Sequence, residues 1–328
     1  MTPREVASAL WVHARPKLWP FLWLLTLFGF GWAHWDRGLL MRGGSAYLGV
    51  LAAWTLLNVG TLWLNAALDR DEGEVLMGAH APVPPGLAAW GYAALVASVG
   101  AAALAHPLAG VCAALSAALS VAYSHPRIVW KGHPIGGPVV NVVGYGLLSP
   151  LAGWACVDVA MNLRTAVVLG LGAVAILGMY FIAQAFQEAE DAARGYRTLV
   201  ATHGPRVVIT AARLCFGVLL FGALGVAGLG WVPRVNLLVL PFVVWIDAYL
   251  ARWAREARGG DEGWARSFAF RLLAAAMAVL ALNFGEYVRA DAAGEPVAGL
   301  GTAAGRPSDR PALPPSAMRA WEAAHPDR

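Results

Sequence analysis

The chain has 328 residues, of which 59% are hydrophobic and 13% are charged, and its mean hydropathy is +0.57. Soluble globular domains carry about 25% charged residues, so this composition excludes that class and indicates an integral membrane protein. The formal net charge of +4 is small and is explained by basic loops at one membrane face, so nothing in the composition supports nucleic-acid binding.

Residues 1–17 mix basic with apolar side chains, since Arg4, Arg15 and Lys17 accompany Leu10 and Trp11. This pattern is typical of an amphipathic helix that lies on the membrane surface. No small-residue cleavage site follows a short apolar core, so we do not interpret the segment as a signal peptide.

Nine apolar segments follow, and each has about the 17 to 25 residues that cross a bilayer as a helix. We predict an all-α fold in which residues 18–288 form nine transmembrane helices in a bundle around a central cavity. Residues 289–328 are rich in Pro, Ala and Gly and are predicted to be a disordered or loosely docked tail. The predicted spans are 18–35, 46–65, 87–105, 107–123, 135–154, 165–186, 207–229, 235–253 and 268–288.

The distribution of Arg and Lys predicts the orientation of these spans. If the N-terminus is cytoplasmic, most basic residues fall in cytoplasmic loops, as the positive-inside rule requires. The loops after the second, fourth and sixth spans then share the cytoplasmic face. We expect a bacterial inner membrane protein whose N-terminus and functional loops are cytoplasmic.

A first acidic cluster follows the second span. Asn65 and Asp69 are spaced i, i+4 and project from one helix face, and Asp71, Glu72 and Glu74 add carboxylates beyond them. Hard oxygen ligands of this kind suit magnesium, which proteins often share between one or two carboxylates and a substrate phosphate. The alternative interpretation is a solvated loop with a run of negative charge.

A second acidic cluster follows the sixth span. If that helix continues beyond the membrane, Gln184, Gln187, Glu188 and Asp191 lie on one stripe, and Glu190 points elsewhere. Gln184 is still inside the apolar span, where a polar side chain tends to face the interior of the bundle. The alternative is a helix end that loses its apolar character as it leaves the membrane.

The loop after the fourth span supplies positive charge and a hydroxyl group. Tyr123, Arg127 and Lys131 have the donors that a magnesium-bound diphosphate needs on the side away from the carboxylates. Arg127 and Lys131 also satisfy the positive-inside rule, so a purely topological role for them stays open.

Four segments together resemble the motifs of the UbiA-type intramembrane aromatic prenyltransferases, over residues 18–288. They are NAALD at 65–69, PVPPG at 82–86, the tyrosine motif at 123–127 and the D-x-x-x-G-x-x-T-L pattern at 191–199. The chain departs from the family's aspartate-rich motifs at Ala66, Gly73 and Gln187, which stand where the family usually has aspartates.

The resemblance implies magnesium-dependent transfer of a prenyl group from a polyprenyl diphosphate to a lipophilic or aromatic, electron-rich acceptor, surrounded by membrane lipid. It implies metal ligands at Asn65, Asp69, Asp71, Glu72, Glu188 and Asp191. Further contacts to the bound diphosphate are expected from Gln187 and Arg197. Catalytic roles are expected for Asp69, Tyr123, Arg127, Lys131 and Asp191.

Two other functions stay open at this point. An intramolecular terpene cyclase of the same fold would use the same diphosphate chemistry without an acceptor. A non-catalytic lipid-binding or scaffolding membrane protein would keep the fold while its degenerate motifs no longer catalyse.

Overall fold

The protein is described by a computed structural model that covers residues 1–37, 42–69, 81–232, 234–256 and 262–293. Helices make up nearly all of these ranges and no strand occurs within them, which confirms the predicted all-α class. The acidic residues Asp71 and Glu72 and the tail from residue 294 onward lie outside the described residues.

Thirteen α-helices, numbered in chain order, occur in the described ranges, together with short 3₁₀ turns at Pro16–Leu18, Trp130–Gly132 and Arg234–Val239. The α-helices are α1 Pro3–His13, α2 Trp19–Arg37, α3 Gly44–Asp69, α4 Leu87–Ala105, α5 Pro107–Ser124, α6 Gly136–Asn141, α7 Ser149–Ala155, α8 Leu163–Phe186, α9 Glu188–Ala193, α10 Leu199–His203, α11 Pro205–Gly228, α12 Leu240–Glu256 and α13 Glu262–Ala293.

Seven helical segments within the described ranges are long and apolar enough to cross a membrane, which agrees with an integral membrane protein. The predicted count of nine is not confirmed. The first predicted span forms α2, whose tryptophans, His34 and Asp36 lower its mean hydropathy. The fifth is divided among α6, a π-helical segment at Val142–Leu148 and α7.

Ser149 links the π-helical segment to the start of α7 through its hydrogen bonds. Its backbone N–H donates to the carbonyl oxygen of Gly144, five residues earlier, and its hydroxyl donates to the same oxygen at 2.9 Å. An i→i−5 hydrogen bond spans one residue more than the i→i−4 bond of an α-helix and so widens the helix locally. Pro150, which has no N–H to donate, follows directly. Trp54 of α3 adds a hydrogen bond of 2.9 Å to the Ser149 hydroxyl.

The N-terminal helix α1 is attached to the bundle by side chains of later residues. A capping box stabilises its start, because Thr2 and Glu5 each donate a backbone N–H to the other's side chain. Trp63 of α3 donates its indole N–H to the Leu10 carbonyl at 2.9 Å. Trp11 remains 59% exposed, as expected for a helix that lies on a membrane surface.

Two large clusters of the core correspond to two halves of the described chain, and a smaller cluster is formed by Ala33, Trp154 and Val157. The first cluster is built from α3, α4, α5, α7 and the π-helical segment and includes Trp54, Leu64 and Leu95. The second cluster is built from α8, α11, α12 and α13 and includes Ile209 and Trp253. Arg213 of α11 and Asp247 of α12 form an ion pair within the second half, with N–O distances of 2.8 and 3.1 Å.

Helices α2 and α7 approach each other at two glycines. A methyl group on Gly29 would overlap the backbone carbonyl of Pro150, and one on Gly153 would overlap that of Thr26. Backbone atoms cannot move aside as a flexible side chain can. The contact therefore requires glycine at both positions.

We expect Gly153→Ala to destabilise the protein by about 1–3 kcal/mol, the usual cost of overpacking a buried contact. Gly170→Ala is the matched control, because no atom lies within 4 Å of the added methyl group and alanine favours the helix. Thermal unfolding of the two purified variants in detergent measures the difference. Equal melting temperatures would contradict the close approach of α2 and α7.

Candidate functional site

A polar cavity of about 100 Å³ opens where the ends of α3, α5 and α8 meet α9. At about 10–15 Å³ for each water, this volume accommodates a small polar group and excludes a long hydrocarbon chain. Six of the predicted site residues line it, namely Asn65, Asp69, Tyr123, Lys131, Gln187 and Asp191. The structure thus brings the two acidic segments and the loop after α5 to one place.

Asp69, the last residue of α3, is the centre of the charge network on one side of the cavity. Its carboxylate forms one ion pair with the Lys131 ammonium and another with Arg194, whose Nη1 lies 3.2 Å from Oδ2. The Asp69 and Lys131 side chains are only 7% and 8% exposed. Lys131 also donates to Asn65 Oδ1 at 3.2 Å, and that oxygen accepts a second hydrogen bond, of 3.1 Å, from the Ser124 hydroxyl.

The turn that carries Lys131 is fixed by tight contacts. A side chain on Gly132 would overlap the Tyr196 ring, and one on Gly136 would press against Trp130. The Gly132 carbonyl accepts a hydrogen bond of 2.9 Å from the backbone N–H of Arg197. Lys131 is therefore held in position by the segment that follows α9.

A break at Gln187 sets the geometry of the second acidic segment. Helix α8 ends at Phe186, Gln187 has a φ of −92° and a ψ of 8°, and α9 begins at Glu188. The predicted stripe assumed one continuous helix, and the break changes which side chains reach the cavity. Glu190, expected to point elsewhere, lines the cavity, whereas Glu188 does not. The Arg194 guanidinium holds Glu190 at 2.8 Å.

Asp191 is a buried carboxyl group, 8% exposed, that lines the same cavity as Asn65. Its Oδ2 accepts a hydrogen bond of 2.6 Å from the Thr198 hydroxyl, and its backbone carbonyl accepts one of 2.9 Å from Tyr196. Burial raises its pKa, while the Thr198 hydrogen bond and the charges of Arg194 and Lys131 lower it. No ion pair to Asp191 occurs among the described residues.

Gln184 has a buried oxygen without a partner. The side chain is 2% exposed and donates to the Tyr180 hydroxyl at 2.8 Å, but its Oε1 accepts no hydrogen bond within the described part of the chain. Gly137 lies so close to Tyr180 that any larger residue would displace the hydroxyl, as expected for a glycine that permits helix packing. A buried, unsatisfied acceptor at a cavity is a candidate ligand for a cation.

Three other predicted residues do not line the cavity. Arg127 and Arg197 are exposed, and Glu188 is half-buried outside it. The roles expected for Arg127 and Arg197 at the diphosphate stay predictions, as does that of Glu188 as a metal ligand. The expected metal ligands Asp71 and Glu72 lie outside the described residues and stay predictions too.

Two cations in the cavity were not identified as site residues from the sequence. Arg194 follows Glu190 by four residues, a spacing that indicates an ion pair on a helix, so a signal for it existed. Arg15 has no such signal, because it precedes the other lining residues by fifty or more positions. Its φ of 46° is uncommon for a residue with a side chain, and such strain often marks a functional constraint.

Known proteins resemble this chain in sequence and in fold. The sequence matches the UbiA prenyltransferase family over residues 7–274. A UbiA homolog from Archaeoglobus fulgidus bound to GPP and Mg²⁺ is 14% identical, with a TM-score of 0.60 over 84% of this chain and 99% of that chain. The same homolog bound to DMAPP and Mg²⁺ gives 13% identity and a TM-score of 0.59, over 84% and 98% of the two chains. At these identities the likeness shows the fold alone. A search of curated proteins found no match.

Few carboxylates of the cavity are free to bind magnesium. Among the described residues, no group of three or more His, Cys, Asp or Glu side chains forms a metal cluster. Asp69 is already paired with Lys131 and Arg194. Asp191 and the unpartnered oxygen of Gln184 line the same cavity and supply two oxygen donors. Such a donor set suits one ion, because magnesium is commonly held by few protein oxygens together with waters and substrate phosphate.

Thr198→Val should enlarge the pH dependence of stability that arises from Asp191. An acid whose pKa is higher in the folded state contributes full stability below its unfolded pKa and loses it as pH rises through the folded pKa. Removal of the Thr198 hydroxyl raises the pKa of Asp191 further. The folding stability that is lost as pH rises therefore grows by about 1.5–3 kcal/mol.

Thr198→Ser keeps the hydroxyl and serves as the matched control. Thr198→Val should melt below Thr198→Ser at every pH, because valine also removes the N-cap of α10, and the difference should widen from acidic toward neutral pH. A difference that does not change with pH would show that Thr198 acts only as the N-cap of α10.

Proposed function

The chain belongs to the UbiA prenyltransferase family, and on that premise we propose that it transfers a prenyl group from a polyprenyl diphosphate to an electron-rich, lipophilic or aromatic acceptor within the membrane. The observation that carries this proposal is the meeting of Asn65, Asp69, Lys131, Asp191 and Arg194 around one cavity. We place that cavity at the cytoplasmic face of a bacterial inner membrane, on the basis of the Arg and Lys distribution.

The charges around the cavity suit a diphosphate headgroup. Arg15, Lys131 and Arg194 supply three cations, and Asp69, Glu190 and Asp191 supply three carboxylates. Guanidinium and ammonium groups bind phosphate oxygens through charge-assisted hydrogen bonds. Because the cavity holds only about 100 Å³, the prenyl chain must extend out of it along the apolar helices.

The proposed reaction begins with cleavage of the allylic carbon–oxygen bond. The bonding electron pair leaves with the diphosphate, and a prenyl cation remains. Lys131 and Arg194 stabilise the negative charge that develops on the departing oxygen, which is electrostatic catalysis at the leaving group. When bound, a magnesium ion at Asp191 and Gln184 would add positive charge to the same leaving group.

The prenyl cation is then captured by the acceptor. A π-electron pair of the acceptor forms the new carbon–carbon bond, and the acceptor then loses a proton to the released diphosphate, which restores its neutrality. Tyr123, Tyr180 and Phe186 line the cavity and present aromatic rings, which stabilise nearby positive charge. The enclosing helices keep water away from the cation and thereby prevent its hydrolysis.

Asp191→Asn should reduce diphosphate release from prenyl diphosphates by about 100-fold, the typical effect of removing one electrostatic group from an active site. Purified protein is incubated with donors of increasing chain length, with magnesium or with a chelator, and diphosphate is quantified. Glu188→Gln is the matched control, since Glu188 lies three residues earlier and does not line the cavity. An equal effect of both variants would contradict the site.

The same assay separates the three functions that the sequence leaves open. Release that requires an added acceptor, or a membrane extract that contains one, supports a transferase. Release without any acceptor, together with a cyclic hydrocarbon product, indicates a cyclase. No release from any donor in the presence of extract would favour a non-catalytic lipid-binding protein.

Arg194→Met and Arg197→Met test which arginine acts on the diphosphate. Arg194 lines the cavity beside Asp69, whereas Arg197 is exposed and lies outside the lining. We expect Arg194→Met to lower kcat/KM for the donor by about 10- to 100-fold, because a charge-assisted hydrogen bond is worth about 1.5–3 kcal/mol. Arg197→Met should change it by less than about twofold, as is usual for an exposed charge. The reverse order would support the original prediction for Arg197.

A further inference from the structure

We propose that the Lys131 ammonium takes the place of one divalent cation in the half of the site formed by Asn65 and Asp69. The diphosphate then binds with a single metal ion, in the half formed by Asp191 and Gln184. This inference rests on the proposed function, because it concerns how the same cavity holds its diphosphate. It predicts the number of bound metal ions, which the family assignment leaves open for this chain.

The two oxygens that would coordinate a metal in this half are already directed at Lys131. Its Nζ donates to Asn65 Oδ1 at 3.2 Å and forms an ion pair with Asp69 Oδ1. Ser124 fixes the Asn65 oxygen from the other side with a hydrogen bond of 3.1 Å. An ammonium group bonded to an amide and a carboxylate oxygen occupies the position that a metal ion sharing those ligands would require.

Lys131 cannot easily move aside to admit a metal ion. Its side chain is 8% exposed, and the turn that carries it is held by Gly132 against the Tyr196 ring and by the hydrogen bond from the Arg197 backbone. Displacing the ammonium without a new partner would leave a buried charge unpaired. Arg194 already adds a second positive charge to Asp69, so a divalent ion on the same carboxylate would face repulsion from two cations.

Among the described residues, this half of the site has one carboxylate, that of Asp69. Ala66, which is 1% exposed on α3, stands at a position where the resembled family usually has an aspartate. Asn65 and Asp69 together carry one negative charge, which one ammonium balances. The other half differs, because Asp191 has no ion pair among the described residues and Gln184 Oε1 has no partner there.

Lys131 retains a donor for the substrate. An ammonium group has three N–H donors, and within the described part of the chain Asn65 and Asp69 accept from two of them. The third is available for a diphosphate oxygen. The ammonium can therefore link the α3 carboxylate to the leaving group, which is the bridging role that a metal ion would otherwise fill.

The test counts metal ions in a complex that does not react. Geranyl S-thiolodiphosphate serves as the donor analogue, since sulfur replaces the oxygen that joins the allylic carbon to phosphorus. Mn²⁺ serves as a paramagnetic substitute for Mg²⁺. Electron paramagnetic resonance gives the number of Mn²⁺ ions bound to each full-length chain in detergent. Calorimetry gives the affinity for the analogue with Mn²⁺ and with chelator.

We expect one Mn²⁺ per chain in the wild type and in Lys131→Arg, which keeps the charge. Lys131→Met should bind two and should bind the analogue about tenfold more weakly in chelator, the loss expected for one charge-assisted hydrogen bond. Arg4→Met, which removes an exposed cation of α1 that does not line the cavity, is the control and should match the wild type.

Two Mn²⁺ ions per chain in both the wild type and Lys131→Met would overturn this inference while leaving the proposed function intact. Failure of every variant to bind the analogue at any Mn²⁺ concentration would overturn the proposed function itself. Normal thermal unfolding of Lys131→Met, compared with Lys131→Arg, excludes misfolding as the cause of a change in metal count.

Discussion

A charge buried at the end of a membrane helix is stable only when it is paired, and Asp69 meets this requirement through Lys131 and Arg194. The three residues come from the end of α3, the turn after α5 and the end of α9. Their pairing therefore determines where these segments meet. The hydrogen bonds of Asp191 to Thr198 and of Gly132 to the Arg197 backbone complete the same junction.

The spans could be predicted from the sequence wherever apolar length alone determines them. Helix α4 begins and ends at the predicted residues, and α5 differs by one residue at its end. Prediction was incomplete where local backbone chemistry interrupts a span. The π-helical segment depends on the hydrogen bonds from Ser149 to Gly144, and the division at Gln187 depends on one residue with a non-helical ψ. Hydropathy does not detect either feature.

Much of the candidate site could be predicted from motifs, because Asn65, Asp69, Tyr123, Lys131, Gln187 and Asp191 all line one cavity. The remaining differences have a physical cause. Spacing rules assume an uninterrupted helix, so the break before α9 exchanges Glu188 for Glu190. Arg15 reaches the cavity through tertiary folding of the N-terminal segment, for which sequence spacing carries no information. The positions of Arg15 and Glu190 at the cavity thus depend on the three-dimensional fold.

The division of the core into two large clusters has a consequence for biosynthesis. Asp69 and its counterion Lys131 both lie in the first half of the chain, within the part that packs around Trp54 and Leu64. A nascent chain that has inserted α3 through α5 thus already contains the partner that neutralises its carboxylate, before the ribosome has made α8. Domains and their parts fold as they emerge during translation. The Asp69–Lys131 pair can therefore form before Arg194 and Asp191 have been synthesised.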